Sequence, residues 1–499
     1  MNRAISSRWI MQLNARKMGL YLGVSALVAL ALQLAMGSSI VLVLLALISV
    51  ATGLLAFMSL GAYNAGAWLA LFYMLGNVLV ATDAKTLMGQ TLGSHLYAPV
   101  DSFLVLAVSS TALFVALLIV RKLDLGVPLL RPAEAPHELR WLSWGGFVLG
   151  VVFWFVNQHF QQPGGSGFGG FAIFRDLLLM AVIARTALLL NCSGDRRAFD
   201  VPLGLIIAVG VFLGVLSNTK AQAAYPVISY FATMLFYRRG LPVRQIVAFA
   251  IGAGIFLMVF VPMIQAWRYM GQQQMDVRQR ITLIAEGAAA VIQGGQLDHY
   301  DELGEIEFRG GSYYNYFGGN GRGQQVLGRY ASVQQIDPVI AEVNRQGPIG
   351  GSVIWPALTR LLPKIVYSDK PKYTEAYHIV ADLGLINPAG GKFPTVPLAG
   401  QAYAGYGVMG VLLIPFFTFF VFLATLKKLG WNLHRNVYAI FFYMQFLIVY
   451  AGQGTLNQYA GFVLRSAPLF FALFWLLRRL SHVRWGGIPD MPGGHSMER

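Results

Sequence analysis

The feature that most constrains the fold is a series of long apolar segments that repeats along most of the chain. Such segments of about twenty residues match the length that an α-helix needs to cross the hydrocarbon layer of a membrane. Only 12% of all residues are charged, about half the fraction typical of a soluble domain. We therefore predict an all-α polytopic membrane protein with about 12 transmembrane helices. The twelve predicted spans are 18–36, 39–60, 65–82, 103–120, 141–156, 173–191, 201–217, 225–237, 244–265, 405–426, 437–451 and 460–477.

The positive charges alternate between the connections. Connections predicted on one side carry clusters of Lys and Arg, whereas 157–170 and 452–459 on the other side carry none. Basic connections remain in the cytoplasm, so the pattern predicts a multi-pass protein of a bacterial inner membrane with both termini cytoplasmic. The same rule accounts for the net charge of +15, so we expect no nucleic-acid partner.

This topology divides the chain into four parts. Residues 1–265 form an N-terminal bundle of about nine helices, 405–480 add about three, and 481–499 form a cytoplasmic tail. Between them, 266–404 form one large periplasmic loop, far longer than an ordinary connection of about 2–8 residues. The loop contains aromatic residues that a disordered linker would lack. We expect short helices in it, at 279–293 and 332–345, and we expect the function to lie there.

Several cations in the large loop could bind a phosphate group, because guanidinium and ammonium groups donate to phosphate oxygens. Arg360 and Lys364 are four positions apart and share one face if that segment is helical. The cations selected for a diphosphate are Arg329, Arg360, Lys364, Lys370 and, in the short connection 218–224, Lys220. The alternative for each loop cation is a solvated surface residue, and for Lys220 a side chain that reaches from the span to the membrane surface.

Other side chains of the loop could act on a sugar hydroxyl. Glu375 and His378 are three positions apart, and either could serve as a catalytic base. Each could equally be a surface residue. Aromatic rings that could stack on sugars are those of Tyr313, Tyr314, Tyr316 and Tyr403.

Charges also occur within or beside the predicted spans, and the metal-binding residue types are scarce. Arg175 and Asp176 open the sixth span, and we expect Arg465 in the last span to pair or to face a water-filled cavity. Cys192 is the single cysteine, which excludes an intramolecular disulfide and a cysteine-based zinc cluster. The histidines have no spacing that resembles a zinc site, and no acidic triplet resembles a calcium loop, so we predict no metal and no cofactor.

The order of motifs from residue 328 onward resembles that of a known family. Gly328-Arg329-Tyr330-Ala331-Ser332 precedes Arg360-Leu361-Leu362-Pro363-Lys364 and Lys370-Pro371, and Gly400-Gln401-Ala402-Tyr403 precedes a glycine-rich entry into the next span. This order, the basic turn near Lys220 and the topology resemble the Wzy-type oligosaccharide repeat-unit polymerases of O-antigen and exopolysaccharide synthesis. Lys364 stands where that family usually has Arg, and Gln401 stands where it usually has Glu, so Gln401 could bind a sugar but not act as a base.

The resemblance implies a metal-independent membrane glycosyltransferase with a GT-C-like fold. It would join oligosaccharide repeat units carried on undecaprenyl diphosphate, with a chain-length regulator and a flippase as partners in the same membrane. Three alternatives are an O-antigen ligase, a lipid-linked oligosaccharide flippase and a structural subunit of a polysaccharide synthase. A flippase would favour inverted repeats and short outside loops, which the long loop argues against.

Overall fold

A computed structural model describes most of the chain. The described residues are 10–12, 14–160, 172–217, 220–238, 240–255, 316–317, 331–362, 367, 375–385, 395–450 and 454–482. Among them, the helices before the large loop are α1 (Ala15–Ala35), α2 (Ile40–Leu60), α3 (Ala65–Met74), α4 (Val80–Leu87), α5 (Pro99–Lys122), α6 (Pro136–Phe160), α7 (Leu177–Ser193), α8 (Val201–Leu216), α9 (Lys220–Arg238) and α10 (Val243–Ile255). The later helices are α11 (Ser332–Gln346), α12 (Ile354–Thr359), α13 (Glu375–Asp382), α14 (Leu398–Leu429), α15 (Val437–Tyr450), α16 (Leu456–Gly461) and α17 (Ala467–His482).

Short non-α elements complete the described structure. One π-helical turn, Leu75–Leu79, joins α3 to α4, and another, Phe462–Ser466, joins α16 to α17. A 3-10 turn, Ala172–Asp176, leads into α7, and another, Gly350–Ser352, precedes α12. The strands β1 (Ile10–Gln12) and β2 (Gly240–Pro242) form a two-stranded antiparallel pair.

The prediction of a helical membrane protein is confirmed by the helices of the described chain. Each of the twelve predicted spans overlaps a helix among the described residues. Seven helices of the described chain are long and apolar enough to cross a membrane: Ala15–Ala35, Ile40–Leu60, Ala65–Leu87, Pro99–Lys122, Pro136–Asn157, Leu398–Leu429 and Leu456–Leu480. Twelve crossings therefore remain a prediction.

Helices pack closely where glycines face their neighbours. A Cβ atom at Gly146 of α6 would lie 2.9 Å from the carbonyl oxygen of Leu177, and one at Gly150 would lie 2.8 Å from the backbone nitrogen of Leu178. Small residues let helix backbones approach in this way, which favours association where both surfaces are apolar. The pairing of α6 with α7 therefore depends on these two glycines.

The connections of the bundle gather at two ends. At one end Arg435 forms an ion pair with Asp195 at 2.5 Å, and Lys427 Nζ donates to the carbonyl of Leu123 at 2.6 Å. We call this end the basic face. At the other end the helices of 331–385 contact the bundle, and we call it the loop face. Which of the two faces is cytoplasmic remains the prediction made from the charges.

The helix α14 begins earlier than predicted and is broken near its start. It begins at Leu398, and its path is interrupted at Tyr406 and Gly407, where the φ angle of Gly407 is 59°. Glycine adopts this left-handed conformation without the steric cost that a Cβ atom adds. The predicted boundary between loop and span, at 404–405, lies beside this break. Of the two short helices predicted in the loop, 332–345 is confirmed by α11, and 279–293 lies outside the described residues.

Candidate functional site

The large loop is joined to the bundle by Asp337 of α11. Its carboxylate accepts hydrogen bonds from the backbone nitrogens of Tyr97 and Ala98, at 2.8 and 3.0 Å, and from Ser102 Oγ at 2.9 Å. Tyr97 and Ala98 directly precede α5 and Ser102 lies in its first turn, where negative charge is favoured by the helix dipole. Asp337 is 1% exposed. It therefore fixes α11 on the loop face.

A second set of contacts joins α11 to the start of α14. Asn344 donates from Nδ2 to Asp101 Oδ2 at 2.7 Å, and Tyr403 donates its hydroxyl to Asn344 Oδ1 at 2.6 Å. The backbone nitrogen of Ile349 donates to the carbonyl of Ala404 at 2.9 Å. The segment before the break in α14 thus belongs to the layer of short helices on the loop face.

The same layer meets the start of the last helical segment. Leu398 donates its backbone nitrogen to the carbonyl of Gly454 at 2.9 Å, and Asn457 Nδ2 donates to the carbonyl of Ala357 at 2.6 Å. Thr455 forms a capping box with Gln458 at the start of α16. The helices α12, α14 and α16 therefore meet at one place.

Gln401 lies at this junction and is buried. Its Oε1 accepts from the backbone nitrogen of Leu456 at 2.9 Å, and the residue is 1% exposed. A glutamine serves here because its amide oxygen can accept from the start of a helix without placing a charge in a buried site. This position makes Gln401 a cap of α16 and leaves its side chain covered, a placement that does not favour the predicted contact with a sugar.

Arg360 follows directly on α12 at the same junction. It is half-buried, and its Nη1 atom is buried. The helix ends at Thr359, and Leu361 and Leu362 lie in a turn and a bend. The predicted helical face that would carry Arg360 and Lys364 together is therefore not formed by the described part of this segment.

Glu375 and His378 lie on α13, which packs against α12 and α14. Glu375 is 3% exposed and His378 is half-buried. The Nε2 atom of His378 is buried and has no hydrogen-bond partner among the described residues. The predicted pair is thus placed on one helix of the loop face, beside the helix that precedes Arg360.

The side chain of Tyr316 is buried and does not lie on an open surface. It is 1% exposed, its hydroxyl donates to the carbonyl of Leu92 at 3.0 Å, and its ring lies 4.1 Å from Lys85 Nζ. Burial, together with the negative charge of Asp337, raises the pKa of Tyr316 above its usual value, so the hydroxyl keeps its proton. Because the ring is covered, the predicted stacking of Tyr316 on a sugar is not favoured by this arrangement. Tyr403 is also buried, at 8% exposure.

Of the remaining predicted site residues, the structure describes Lys220 alone. Lys220 is the first residue of α9 at the loop face. Five of the predicted site residues lie outside the described residues: Arg329, Lys364, Lys370, Tyr313 and Tyr314.

A second polar group on the loop face comes from helices α6 to α9 and from α15. Arg175 and Asp176 lie at the start of α7, and Gln445 Nε2 of α15 donates to Asp176 Oδ2 at 3.3 Å. Phe174 packs on Phe470 of α17, with ring centres 6.0 Å apart. Gln445 comes from a helix distant along the chain, so residue spacing does not bring its amide to these two charges.

Arg465 lies in the π-helical turn between α16 and α17. A π turn adds one residue to a helical turn and often occurs where a side chain is directed into a functional site. The described residues contain no group of three His, Cys, Asp or Glu side chains that could hold a metal ion. Among the described residues of the loop face, the available chemistry includes that of cations, carboxylates, amides and the imidazoles of His95 and His378.

Comparison with known proteins gives no match for this chain among family models, curated proteins or solved structures.

Proposed function

We propose that this protein is a membrane polymerase that joins oligosaccharide repeat units carried on undecaprenyl diphosphate, at the periplasmic face of a bacterial inner membrane. The observation that carries the proposal is the layer of short helices on the loop face, which holds Arg360, Glu375 and His378 over the ends of the bundle helices. The motif order from 328 to 412 and the alternation of basic connections support it from the sequence.

The reaction follows from the chemistry of these side chains. A hydroxyl of one repeat unit attacks the anomeric carbon of the glycan on a second carrier, and the bond from that carbon to the diphosphate breaks. The diphosphate keeps the electron pair, and cations such as Arg360 stabilise the developing charge. His378 is the stronger candidate to take the hydroxyl proton, because its Nε2 has no partner among the described residues; Glu375 is the alternative.

The proposed reaction needs no nucleotide sugar and no metal, because the diphosphate is already a good leaving group. Arg329, Lys364, Lys370 and Lys220 are proposed to complete the diphosphate sites. Glycan contacts are proposed for Tyr313 and Tyr314. A flippase and a chain-length regulator are proposed as partners in the same membrane.

Substitution of Arg360 tests the proposal with a matched control in the same loop. Arg360→Ala should reduce the long glycan chains by about 10- to 100-fold, as expected when a charge-assisted hydrogen bond is lost. Arg360→Lys should give an amount of long chains between those of the wild type and Arg360→Ala. Lysine keeps the positive charge but cannot donate two parallel hydrogen bonds to a phosphate. The measurement is the length distribution of surface glycan on gels from cells that carry each variant as their only copy.

Arg345→Ala is the control, because the Arg345 side chain is 72% exposed and pairs with Glu342 on the outer side of α11. It should leave the chain lengths unchanged. A normal distribution from Arg360→Ala, at a normal protein level in the membrane, would contradict the proposed role of this residue.

A further inference from the structure

An open apolar groove lies along α5 in the half of the bundle next to the loop face. We call it the α5 groove. Both α2 and α14 pack on α5 but hardly contact each other, and this arrangement leaves the groove between them. Its volume is about 460 Å³, within the range of small-molecule sites.

The walls of the groove are hydrocarbon. Its three sides include Leu45 of α2, Val108 of α5 and Phe416 of α14. Thr111 is the one polar residue among the described residues that line the groove, and its hydroxyl donates to the carbonyl of Ala107 within α5, at 2.8 Å. Because that hydroxyl is paired, the described lining suits an apolar ligand.

The length of the groove matches one leaflet of a membrane. Its lining on α5 runs from Leu104 to Val115, about 16 Å along the axis at about 1.5 Å per residue. The hydrocarbon core of a bilayer is about 30 Å thick, so the groove covers about half of it. Its outer side is open, because Ile48 and Leu412 are 45% and 50% exposed. A single lipid chain can therefore enter the groove sideways and lie along it.

One end of the groove leads to the layer of short helices on the loop face. Val100, one turn before Leu104, lies on the same face of α5 and is exposed. On α14 the groove begins less than two turns after the break at Tyr406. A Cβ atom at Gly351 would lie 3.6 Å from the Tyr406 hydroxyl oxygen. The end of the groove thus lies beside the 3-10 turn that leads into α12 and then to Arg360.

The head group must decide which lipid the groove holds, because the surrounding membrane supplies many competing chains. Lipid tails are as apolar as the walls of the groove, so a hydrocarbon chain gains little by moving into it from the bilayer. A cation beyond the loop-face end, Arg360, favours an anionic head group. A diphosphate carries more negative charge than the single phosphate of an ordinary phospholipid, and it is the head group of the proposed substrate.

We propose that the α5 groove binds the isoprenoid chain of the lipid carrier, with the diphosphate of the carrier held at the loop face. The inference rests on the proposed function, which makes undecaprenyl diphosphate the carrier. Bound in this way, the chain would keep the diphosphate beside Arg360 while the glycan is transferred.

Photo-crosslinking tests this inference on the full chain in phosphatidylcholine nanodiscs. The probe is undecaprenyl diphosphate with a photoreactive diazirine in its isoprenoid chain, and mass spectrometry locates the labelled peptides. We expect labels within 45–48, 104–115 and 412–416. An excess of unlabelled undecaprenyl diphosphate should remove them, whereas an equal excess of phosphatidylglycerol should not.

Val108→Phe is the test variant, because a larger side chain at this position fills part of the groove. It should reduce labelling of the groove by about 10-fold, as expected when a formed site is overpacked. Val148→Phe is the matched control, because Val148 is 55% exposed on α6 and does not line the groove, and it should leave the labelling unchanged. Leu413→Trp fills the groove from α14 and should act like Val108→Phe. Thermal unfolding shows whether each variant is folded.

Three results would overturn this inference: labels confined to other helices, equal competition by phosphatidylglycerol, or unchanged labelling of folded Val108→Phe and Leu413→Trp. Crosslinking measures binding apart from polymerisation, so the two proposals can fail separately. If Val108→Phe removes the labels while loss of the protein leaves glycan length normal, the groove stands and the polymerase proposal fails. If loss of the protein leaves single repeat units while the groove is not labelled, the polymerase proposal stands and the groove inference fails.

Discussion

At the scale of single residues, two buried charged side chains join the large loop to the bundle. Lys85 is fully buried, and its ammonium donates to Gln90 Oε1 at 2.9 Å and to Ser94 Oγ at 2.8 Å, with the Tyr316 ring on another side. A buried charge is tolerated only when such partners replace water. Because the carbonyl of Phe317 also accepts from Gln90 Nε2 at 2.8 Å, Lys85 and Gln90 together hold this part of the loop.

Asp337 is the second of these residues, and its removal should loosen α11. Asp337→Ala leaves the backbone amides of Tyr97 and Ala98 without their acceptor, which we expect to cost about 2–4 kcal/mol in the free energy of unfolding. The measurement is thermal unfolding of the purified protein together with the rate of proteolysis within 331–346.

The control for this substitution is Asp124→Ala on the basic face. Asp124 is exposed and accepts one local hydrogen bond, from the backbone nitrogen of Gly126 at 2.9 Å. A surface change of this kind should alter stability by less than about 0.5 kcal/mol. Equal stability of the two variants would show that Asp337 does not fix α11.

At the scale of elements, the sequence predicts what depends on local pattern. The spans follow from the length of apolar runs, and α11 follows from its helical periodicity, with Val339, Ile340 and Val343 buried. The end of α12 at Thr359 and the break at Gly407 lie among contacts between segments distant along the chain, such as that of Asn457 with Ala357, which residue spacing does not record.

The candidate site was predicted only in part. The sequence placed Glu375 and His378 together because they lie one helical turn apart. The sequence could not show that the Gln401 side chain caps α16, because the backbone nitrogen that it accepts from belongs to Leu456, 55 residues away. Tyr316 was predicted to stack on sugars as an aromatic residue of the loop, whereas its ring is buried and lies against a distant lysine, Lys85.

At the scale of the whole molecule, the two faces of the bundle make the topology testable. Cys192 is exposed and lies one residue before the end of α7, at the basic face. If that face is cytoplasmic, a membrane-impermeant thiol reagent should label Cys192 only after the membrane is permeabilised. Arg345→Cys, in a chain with Cys192→Ser, should be labelled in intact spheroplasts, because position 345 lies on the loop face. Labelling of Cys192 in intact spheroplasts would reverse the proposed orientation.

The measurement that most directly tests the central claim is the glycan carried by cells that lack this protein. A polymerase should leave single repeat units at the cell surface in place of long chains, and restoring the gene should return the long chains. Long chains that remain on the lipid carrier would indicate a ligase, and the absence of any unit outside would indicate a flippase. Surface glycan of normal length in cells without the protein would contradict the account.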